Sequence, residues 1–247
     1  MFGIKRQQRQ NDGKPEDVYA NDKEYGNEWG FQGEDSTMVS DGSTTGSRHF
    51  KHYPIMADQL FLSYWLRAFN DLTMLRQYEK VLRLFPFSRL TKQASVFRIV
   101  PIDNNQPAVF ERAYQTPPEL ADVLAAAGDF QHADCCYRLE SAWDLWQFEG
   151  DWKLAPSAVS LICLGPEFEN ETGDNLRVEF GVDANFLPQP DAPGEVKMVQ
   201  SNVQSLLKLV HDLDDKLSAE RRLLWTESGE NFHDKLRRAL TQNLTDV

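Results

Sequence analysis

The sequence predicts an α+β domain with a disordered tail before it and helices after it. Three observations support this organisation. Apolar and polar residues alternate in several short segments between positions 59 and 182, which is typical of half-buried strands. Between those segments, apolar residues recur at spacings of three and four, which indicates amphipathic helices. The first 50 residues show neither pattern.

The composition of residues 1–50 predicts a disordered, acidic and polar tail. They are rich in Asp, Glu, Gly, Asn, Gln, Ser and Thr, so they bury too little apolar surface to offset their chain entropy. Tyr25, Trp29 and Phe31 lie among acidic residues, a pattern typical of a short motif that folds onto a partner. In the alternative, these aromatic side chains only touch the parent domain.

The first elements of the domain, which we place at residues 51–187, are a strand, a helix and a hairpin. Alternation over 60–67 predicts the strand, and spacings of three and four over 72–85 predict the helix, which Pro86 ends. Strands are predicted over 95–102 and 108–114. The Asp-Asn-Asn cluster between them tolerates left-handed backbone, which favours a hairpin connection.

A second helix and three more strands complete the predicted domain. Thr116 is the predicted N-cap of the helix, because two prolines and a glutamate follow it, and Gly128 ends the helix. A long strand is predicted over 134–148. Two further strands, over 157–164 and 176–182, flank an acidic loop.

The order of these elements over residues 59–148 is strand, helix, strand, strand, helix, strand. This order predicts a ferredoxin-like β-α-β-β-α-β core, with both helices on one face of its sheet. The two later strands are expected to extend that sheet as added antiparallel strands, for a total of six.

The rest of the chain predicts a proline-rich linker at 188–195 and a C-terminal helical pair at 196–247, packed on the sheet domain. Apolar residues between 199 and 217 recur at alternating spacings of four and three, which is the spacing of a helical seam. The seam is shorter than three heptads, which favours packing on the parent domain. A homodimer through 199–217 is the alternative. A last helix is predicted over 230–244.

Composition and charge exclude several classes of function. The chain has 26 Lys and Arg against 38 Asp and Glu, a net charge of −12, which opposes binding to nucleic acid or to an anionic membrane. We expect a cytoplasmic protein, because no apolar run suits a signal peptide or a membrane span and the three cysteines suit a reducing compartment. No motif of a common cofactor site, hydrolase or zinc protease is present, so we predict no cofactor and no metal.

Two segments have side chains that bind metal ions in other proteins. His132, Cys135 and Cys136 lie close in sequence, but adjacent residues of a strand face opposite ways, so buried structural thiols are the favoured interpretation. The acidic loop at 165–175 offers carboxylates that a Ca²⁺ ion prefers, although their order does not match an EF-hand. Calcium binding by this loop is kept as an alternative.

The polar face of the predicted sheet is the third candidate. Alternation groups arginines, carboxylates and tryptophans there, and such a face can hold an anionic or aromatic ligand. The candidate residues are Trp65, Arg98, Arg138, Glu140, Asp144 and Trp146, with Arg67 and Arg112 beside them. The favoured alternative is a ladder of opposite charges, with the tryptophans under the C-terminal helices.

These observations favour a non-enzymatic interaction or regulatory module whose partner is another protein. The acidic charge, the aromatic residues of the tail and the heptad-spaced helix support it. The first alternative is a small-molecule-binding protein or enzyme that uses the polar face of the sheet. The second alternative is calcium binding by the loop at 165–175.

Overall fold

The computed structural model describes residues 58–101, 107–188 and 195–245. The predicted tail with Tyr25, Trp29 and Phe31 lies outside the described residues, as does most of the predicted linker at 188–195.

Seven strands and four helices make up the described part of the chain, together with a short 3₁₀ turn at Asp183–Phe186. The strands are β1 (Gln59–Leu66), β2 (Ser95–Pro101), β3 (Phe110–Tyr114), β4 (Cys135–Phe148), β5 (Trp152–Leu164), β6 (Leu176–Val182) and β7 (Ala219–Thr226). The helices are α1 (Met74–Leu84), α2 (Leu120–Asp129), α3 (Glu195–Lys216) and α4 (Phe232–Thr245). Six of these strands and all four helices overlap the predicted ones.

The strands form one sheet in the order β3-β2-β4-β5-β6-β1-β7, and each neighbouring pair is antiparallel. The predicted ferredoxin-like arrangement is not confirmed. Of the four strands of the predicted core, β3, β2 and β4 are adjacent, but β5 and β6 separate them from β1. The order of elements along the chain does not decide which strands pair. A strand with alternating apolar and polar residues can pair with any other strand whose apolar side chains lie on the same face of the sheet.

The sheet is also larger than predicted, because residues 219–226 form the seventh strand. The first half of β7 is Ala-Glu-Arg-Arg, which carries no apolar alternation, and the strand therefore escaped the periodicity analysis. β7 separates α3 from α4, so the C-terminal segment is a helix, an edge strand and a helix instead of a helical pair.

Apolar residues on one face of the sheet form the core with the helices. In β4, Tyr137, Leu139, Trp143 and Leu145 are buried, whereas Arg138, Glu140 and Asp144 on the other face are partly exposed. The helix α1 contributes a buried stripe, Met74, Tyr78, Val81 and Leu82, at spacings of three and four. Each such side chain stabilises the fold by about 1.5–3 kcal/mol relative to exposure.

The heptad-spaced residues of α3 belong to this same core. Val199, Leu206, Val210, Leu213 and Leu217 are all buried. The chain's own sheet and helices therefore cover these buried seam residues, and a homodimer through 199–217 stays an untested alternative. None of the helices in the described ranges has the length and apolar content needed to cross a membrane.

The start of α2 differs from the prediction. The helix begins at Leu120 and its N-cap is Glu119, not Thr116. The Thr116 hydroxyl instead donates to the Gln93 carbonyl at 2.9 Å and lies 2.6 Å from the Ser95 hydroxyl. The hydroxyl is thus bonded to the residues that lead into β2, which takes it away from the helix terminus.

Candidate functional site

The predicted polar residues lie on the face of the sheet opposite the helices, which we call the outer face. Strand alternation and register place Trp65, Arg98, Arg138, Glu140, Asp144 and Trp146 there. The favoured alternative expected these tryptophans to lie under the C-terminal helices. Trp65 and Trp146 lie on the opposite face of the sheet, so that expectation is wrong. Arg112 is opposite Phe97, a core residue, so it belongs to the other face of the sheet.

The arginines and glutamates at the centre of the outer face pair with one another. Arg98 contacts Glu111 at 2.7 Å and Glu140 at 2.5 Å, and Arg138 contacts Glu179 at 3.3 Å. Arg98 and Glu140 do converge, but on each other. Such partly exposed pairs contribute a few tenths of a kcal/mol each, about 0.2–1 kcal/mol at most. This arrangement is the ladder of opposite charges that the sequence favoured.

Asp144 and Trp146 are tied to other parts of the fold. Asp144 accepts hydrogen bonds from the Ser88 hydroxyl and, at 2.9 Å, from the Arg89 backbone N–H. The backbone N–H and carbonyl of Trp146 both bond to the side-chain amide of Asn202 in α3. These two residues hold the segment after α1 and the helix α3 against the long strand β4.

The other end of the outer face carries a different cluster, which we call the aromatic–arginine patch: Phe61, Trp65, Arg221, Leu223 and Trp225. The patch spans β1 and β7, where Trp65 is opposite Arg221 and Phe61 is opposite Trp225. The rings of Phe61 and Trp225 are 4.7 Å apart, and the Arg221 guanidinium lies 4.3 Å from the centre of the Trp65 ring.

Hydrogen bonds fix both tryptophan rings of the patch. The indole N–H of Trp65 donates to the Thr172 carbonyl at 3.2 Å, and that of Trp225 donates to the Ser63 hydroxyl at 3.1 Å. Arg177 lies 6.0 Å from the centre of the Trp225 ring while it pairs with buried Asp174 at 2.6 Å. The ring faces are thus held in place before any ligand arrives.

Arg221 differs from the other arginines of the outer face. Its side chain is exposed, and no carboxylate among the described residues forms an ion pair with it. Stacking on Trp65 contributes about 0.5–1 kcal/mol and orients the planar guanidinium. An oriented guanidinium with free N–H donors is suited to bind a carboxylate through two parallel hydrogen bonds.

The geometry gives no support to calcium binding by the acidic loop. Within the described ranges, no three His, Cys, Asp or Glu side chains lie where they could share a metal ion. In the loop, Asp174 is buried and its oxygens accept from Arg177 and from the Thr172 hydroxyl. Burial opposes ionisation of Asp174, but these hydrogen bonds hold its pKa below the ordinary value.

The three cysteines are buried thiols. Burial raises the pKa of Cys135 to about 11 and that of Cys136 to about 12, and it also raises the pKa of Cys163. All three are free and less than a tenth exposed. Because thiolates are the nucleophiles and the metal ligands, these side chains are suited to packing and not to chemistry at neutral pH.

A partly buried ionic cluster joins α4 to the residue before β1. Lys235 Nζ lies 2.6 Å from Asp183 Oδ2 and 3.2 Å from Asp58 Oδ2. The first contact is an ion pair without good hydrogen-bond alignment. A hydrogen bond from Ser228 is the largest cause of the lowered pKa of Asp58, and Lys235 lowers it further. The cluster's charges are satisfied within the fold, which indicates a structural role.

Two shallow grooves lie elsewhere on the surface. One of about 390 Å³ is lined by Asp234, Arg237, Arg238 and Thr241 of α4. The other, of about 470 Å³, lies between residues 91–94 and 113–116. Neither is lined by a predicted site residue or by a residue of the aromatic–arginine patch.

Sequence reasoning found Trp65 but missed its neighbours in the patch. Arg221, Leu223 and Trp225 escaped notice because β7 was not predicted. The Leu-Leu-Trp run at 223–225, followed by Ser228 and Gly229, was the available signal for a short strand.

Comparison of the chain with protein-family models, curated proteins and solved structures finds no match.

Proposed function

We propose that the chain is a non-enzymatic interaction module that binds another protein through the aromatic–arginine patch. The observation that carries this proposal is Arg221, an exposed guanidinium stacked 4.3 Å from the Trp65 ring without a described carboxylate partner. In a chain of net charge −12, an exposed arginine that forms no ion pair with a described carboxylate is suited to an acid on another molecule.

The residue types of the outer face also suit a binding surface. Four of the six tryptophans lie on it, and every cation that the described strands place there is an arginine. Trp, Tyr and Arg dominate the energetics of protein interfaces, whereas Lys is depleted from them. The four tryptophans are Trp65, Trp146, Trp152 and Trp225.

The size of the patch points to a short segment of the partner. Standard interfaces between folded proteins involve about 20–30 residues on each side. The patch has five residues, and on the neighbouring strand β6 the charges of Glu179 and Arg177 are already paired, with Arg138 and Asp174. A peptide segment that offers a few side chains fits this surface better than a globular domain does.

The polar residues give less support to the alternative of an enzyme or a small-molecule site. Arg98, Glu140 and Arg138 use their charges on one another or on neighbouring strands, and Asp144 is used by Ser88 and Arg89. A ligand at this place would have to break pairs that the fold already makes. A cytoplasmic location and the motif at Tyr25, Trp29 and Phe31 remain predictions.

A random library of 12-residue peptides displayed on phage tests the proposal. Selection against the full chain should enrich peptides whose affinity falls at least tenfold with Arg221→Glu, measured by fluorescence polarisation of synthetic copies. Arg76→Glu is the matched control. Arg76 is exposed on α1, on the other side of the sheet, and its replacement changes the net charge by the same amount. Circular dichroism establishes that both variants fold.

Two results would contradict the proposal. One is a selection that enriches no binding peptide. The other is a set of peptides that Arg221→Glu and Arg76→Glu weaken equally, because the patch would then play no part. If Arg221→Glu does not fold, Arg221→Gln removes the charge with less perturbation and answers the same question.

A further inference from the structure

We infer that the partner segment carries a phosphorylated residue, and that Arg67 and Arg221 together bind its phosphate beside the Trp65 ring. This inference rests on the proposed function and specifies the ligand of the same patch. It adds one residue, Arg67, to the surface described above.

Arg67 directly follows β1, and the backbone pattern of that strand continues through it. The N–H of Leu66 donates to the Asn175 side chain at 2.7 Å, on the side of β6. The N–H of Arg67 donates to the Ser218 carbonyl at 3.0 Å, on the side of β7. Successive side chains of a strand face opposite ways, and Leu66 is buried in the core. Arg67 therefore shares the outer face with Trp65.

Arg67 and Arg221 are the two cations at this end of the patch. Both side chains are exposed, and neither forms an ion pair with a carboxylate in the described ranges. Three arginines further along the outer face are all paired with carboxylates: Arg98, Arg138 and Arg177. Two positive charges are thus left without an acid beside one aromatic ring, in a chain whose net charge is −12.

Two guanidinium groups suit a phosphate better than a carboxylate. A carboxylate carries one negative charge and is matched by the planar fork of one arginine. The phosphate of a phosphorylated residue carries a charge of about −1.5 to −2 at neutral pH and has three acceptor oxygens, so it can bind two forks at once. The guanidinium of Arg221 is already held 4.3 Å from the centre of the Trp65 ring, which reduces the entropy that is lost on binding.

The rest of the patch selects the neighbours of the phosphorylated residue. Leu223 follows Arg221 by two positions on the same face, at a distance of about 7 Å along the strand. Trp225 and the adjacent Phe61 ring lie beyond it. We therefore expect an apolar residue one or two positions from the phosphorylated one. The peptide crosses the face of the sheet and not its edge, because Asn231 bridges Trp225 on the outer side of β7.

Nucleic acid offers the same phosphate chemistry but suits this surface less. Duplex DNA carries one negative charge for about every 1.7 Å of its axis, and proteins hold it through many cations. The patch offers two, and the next arginines on the outer face already use their charges within the sheet. A peptide with one phosphate and apolar neighbours matches two arginines beside an apolar surface.

Phenyl phosphate and benzoate, two small aromatic acids of different charge, test the phosphate site on the full chain. An NMR titration follows the indole N–H resonance of Trp65, which is identified by its loss in Trp65→Phe. Phenyl phosphate should bind at least fivefold more tightly than benzoate, and Arg67→Gln should remove most of that preference. Arg76→Gln is the matched control, because Arg76 is exposed on α1 and lies outside the patch.

The phage-selected peptides test the phosphate within a longer ligand. We expect each of them to place an Asp or Glu on Arg221. Replacing that acid with phosphoserine or phosphotyrosine should raise the affinity at least tenfold, measured by fluorescence polarisation. Arg67→Gln should abolish this gain and change the affinity of the unmodified peptide less than twofold. Arg67→Lys keeps the charge but loses the planar fork, so it should retain part of the gain.

The outcomes separate this inference from the proposed function. Peptides that depend on Arg221 but gain nothing from a phosphate, or whose gain survives Arg67→Gln, would overturn the inference and leave the proposed function standing. Phenyl phosphate that leaves the Trp65 resonance unchanged would overturn it as well. A labelled single-stranded oligonucleotide that binds these arginines more tightly than the phosphopeptides would assign the site to nucleic acid instead. If no peptide depends on the patch, the proposed function itself fails.

Discussion

Replacing Asn202 with alanine should destabilise the fold strongly, because one buried side chain bonds to three backbone groups. Its amide donates to the Trp146 carbonyl at 2.8 Å and to the Asn185 carbonyl at 2.7 Å, and its oxygen accepts from the Trp146 N–H at 2.9 Å. Asn202 is only 2% exposed, so water cannot easily replace these bonds.

The expected magnitude follows from the three bonds and from the helix. Each net hydrogen bond contributes about 1 kcal/mol, so their loss costs roughly 3 kcal/mol. Alanine is the better helix former at this position in α3 and returns roughly 0.5 kcal/mol. The free energy of unfolding should therefore fall by about 2.5 kcal/mol. With a urea m-value of about 2 kcal/mol/M, the unfolding midpoint should fall by roughly 1.2 M.

Urea unfolding followed by far-ultraviolet circular dichroism measures this change. Gln204→Ala is the matched control, because Gln204 is exposed on the same helix and its loss should change stability by less than about 0.5 kcal/mol. Asn202→Asp keeps the acceptor and removes both donors, so its midpoint should fall too. A midpoint for Asn202→Ala within about 0.3 M of the control would refute the reasoning, since that is under 1 kcal/mol at the same m-value.

Three further predictions concern thiols, acid stability and mass. The three thiols, Cys135, Cys136 and Cys163, should resist iodoacetamide in the native chain at pH 8 and react in urea. With a pKa near 11, about one Cys135 thiol in a thousand is ionised at that pH, and burial raises the pKa of the other two as well. Rapid native alkylation, read by mass spectrometry, would count against this. The pKa of Asp174 is lowered in the fold. Its ionised form therefore stabilises the fold at pH values above the ordinary carboxyl pKa, and this stabilisation is lost as the pH falls. The gap in urea midpoint between the wild-type chain and Asp174→Asn should therefore narrow below about pH 4, and a constant gap would contradict the role of Arg177. Light scattering should give the monomer mass of 28.4 kDa, because the seam at 199–217 is buried; a stable dimer would be evidence against it.

Part of the candidate site could be predicted from the sequence. Alternation along a long strand placed Arg138, Glu140, Asp144 and Trp146 on the face away from the core, and the structure has them there. Such a prediction needs only the two-residue period of a strand, because side chains two positions apart lie on the same face of the sheet. The pairing of Arg98 with Glu140 and Glu111 required the register between strands, which no single segment contains.

The aromatic–arginine patch could not be predicted, because its members come from distant parts of the chain. Trp225 donates to Ser63, which is 162 positions away in sequence, and Trp65 donates to Thr172, which is 107 away. The role of Asn202 likewise depends on a distant segment, because its partners include the backbone of Trp146, which is 56 positions away.

The sequence by itself determined the α+β class, six strands, four helices and which side of β1, β2, β4 and β6 faces the core, but it placed Arg112 of β3 on the wrong face. Local periodicity carries that information, since burial of one face repeats every two residues in a strand and every three or four in a helix. Only the tertiary structure decided that β1 pairs with β6 and β7, that 219–226 is a strand, and that Arg221 stacks on Trp65. Those outcomes depend on contacts between segments more than a hundred residues apart. The interactions that stabilise these pairings form only in the assembled sheet, so no local pattern of the sequence predicts them.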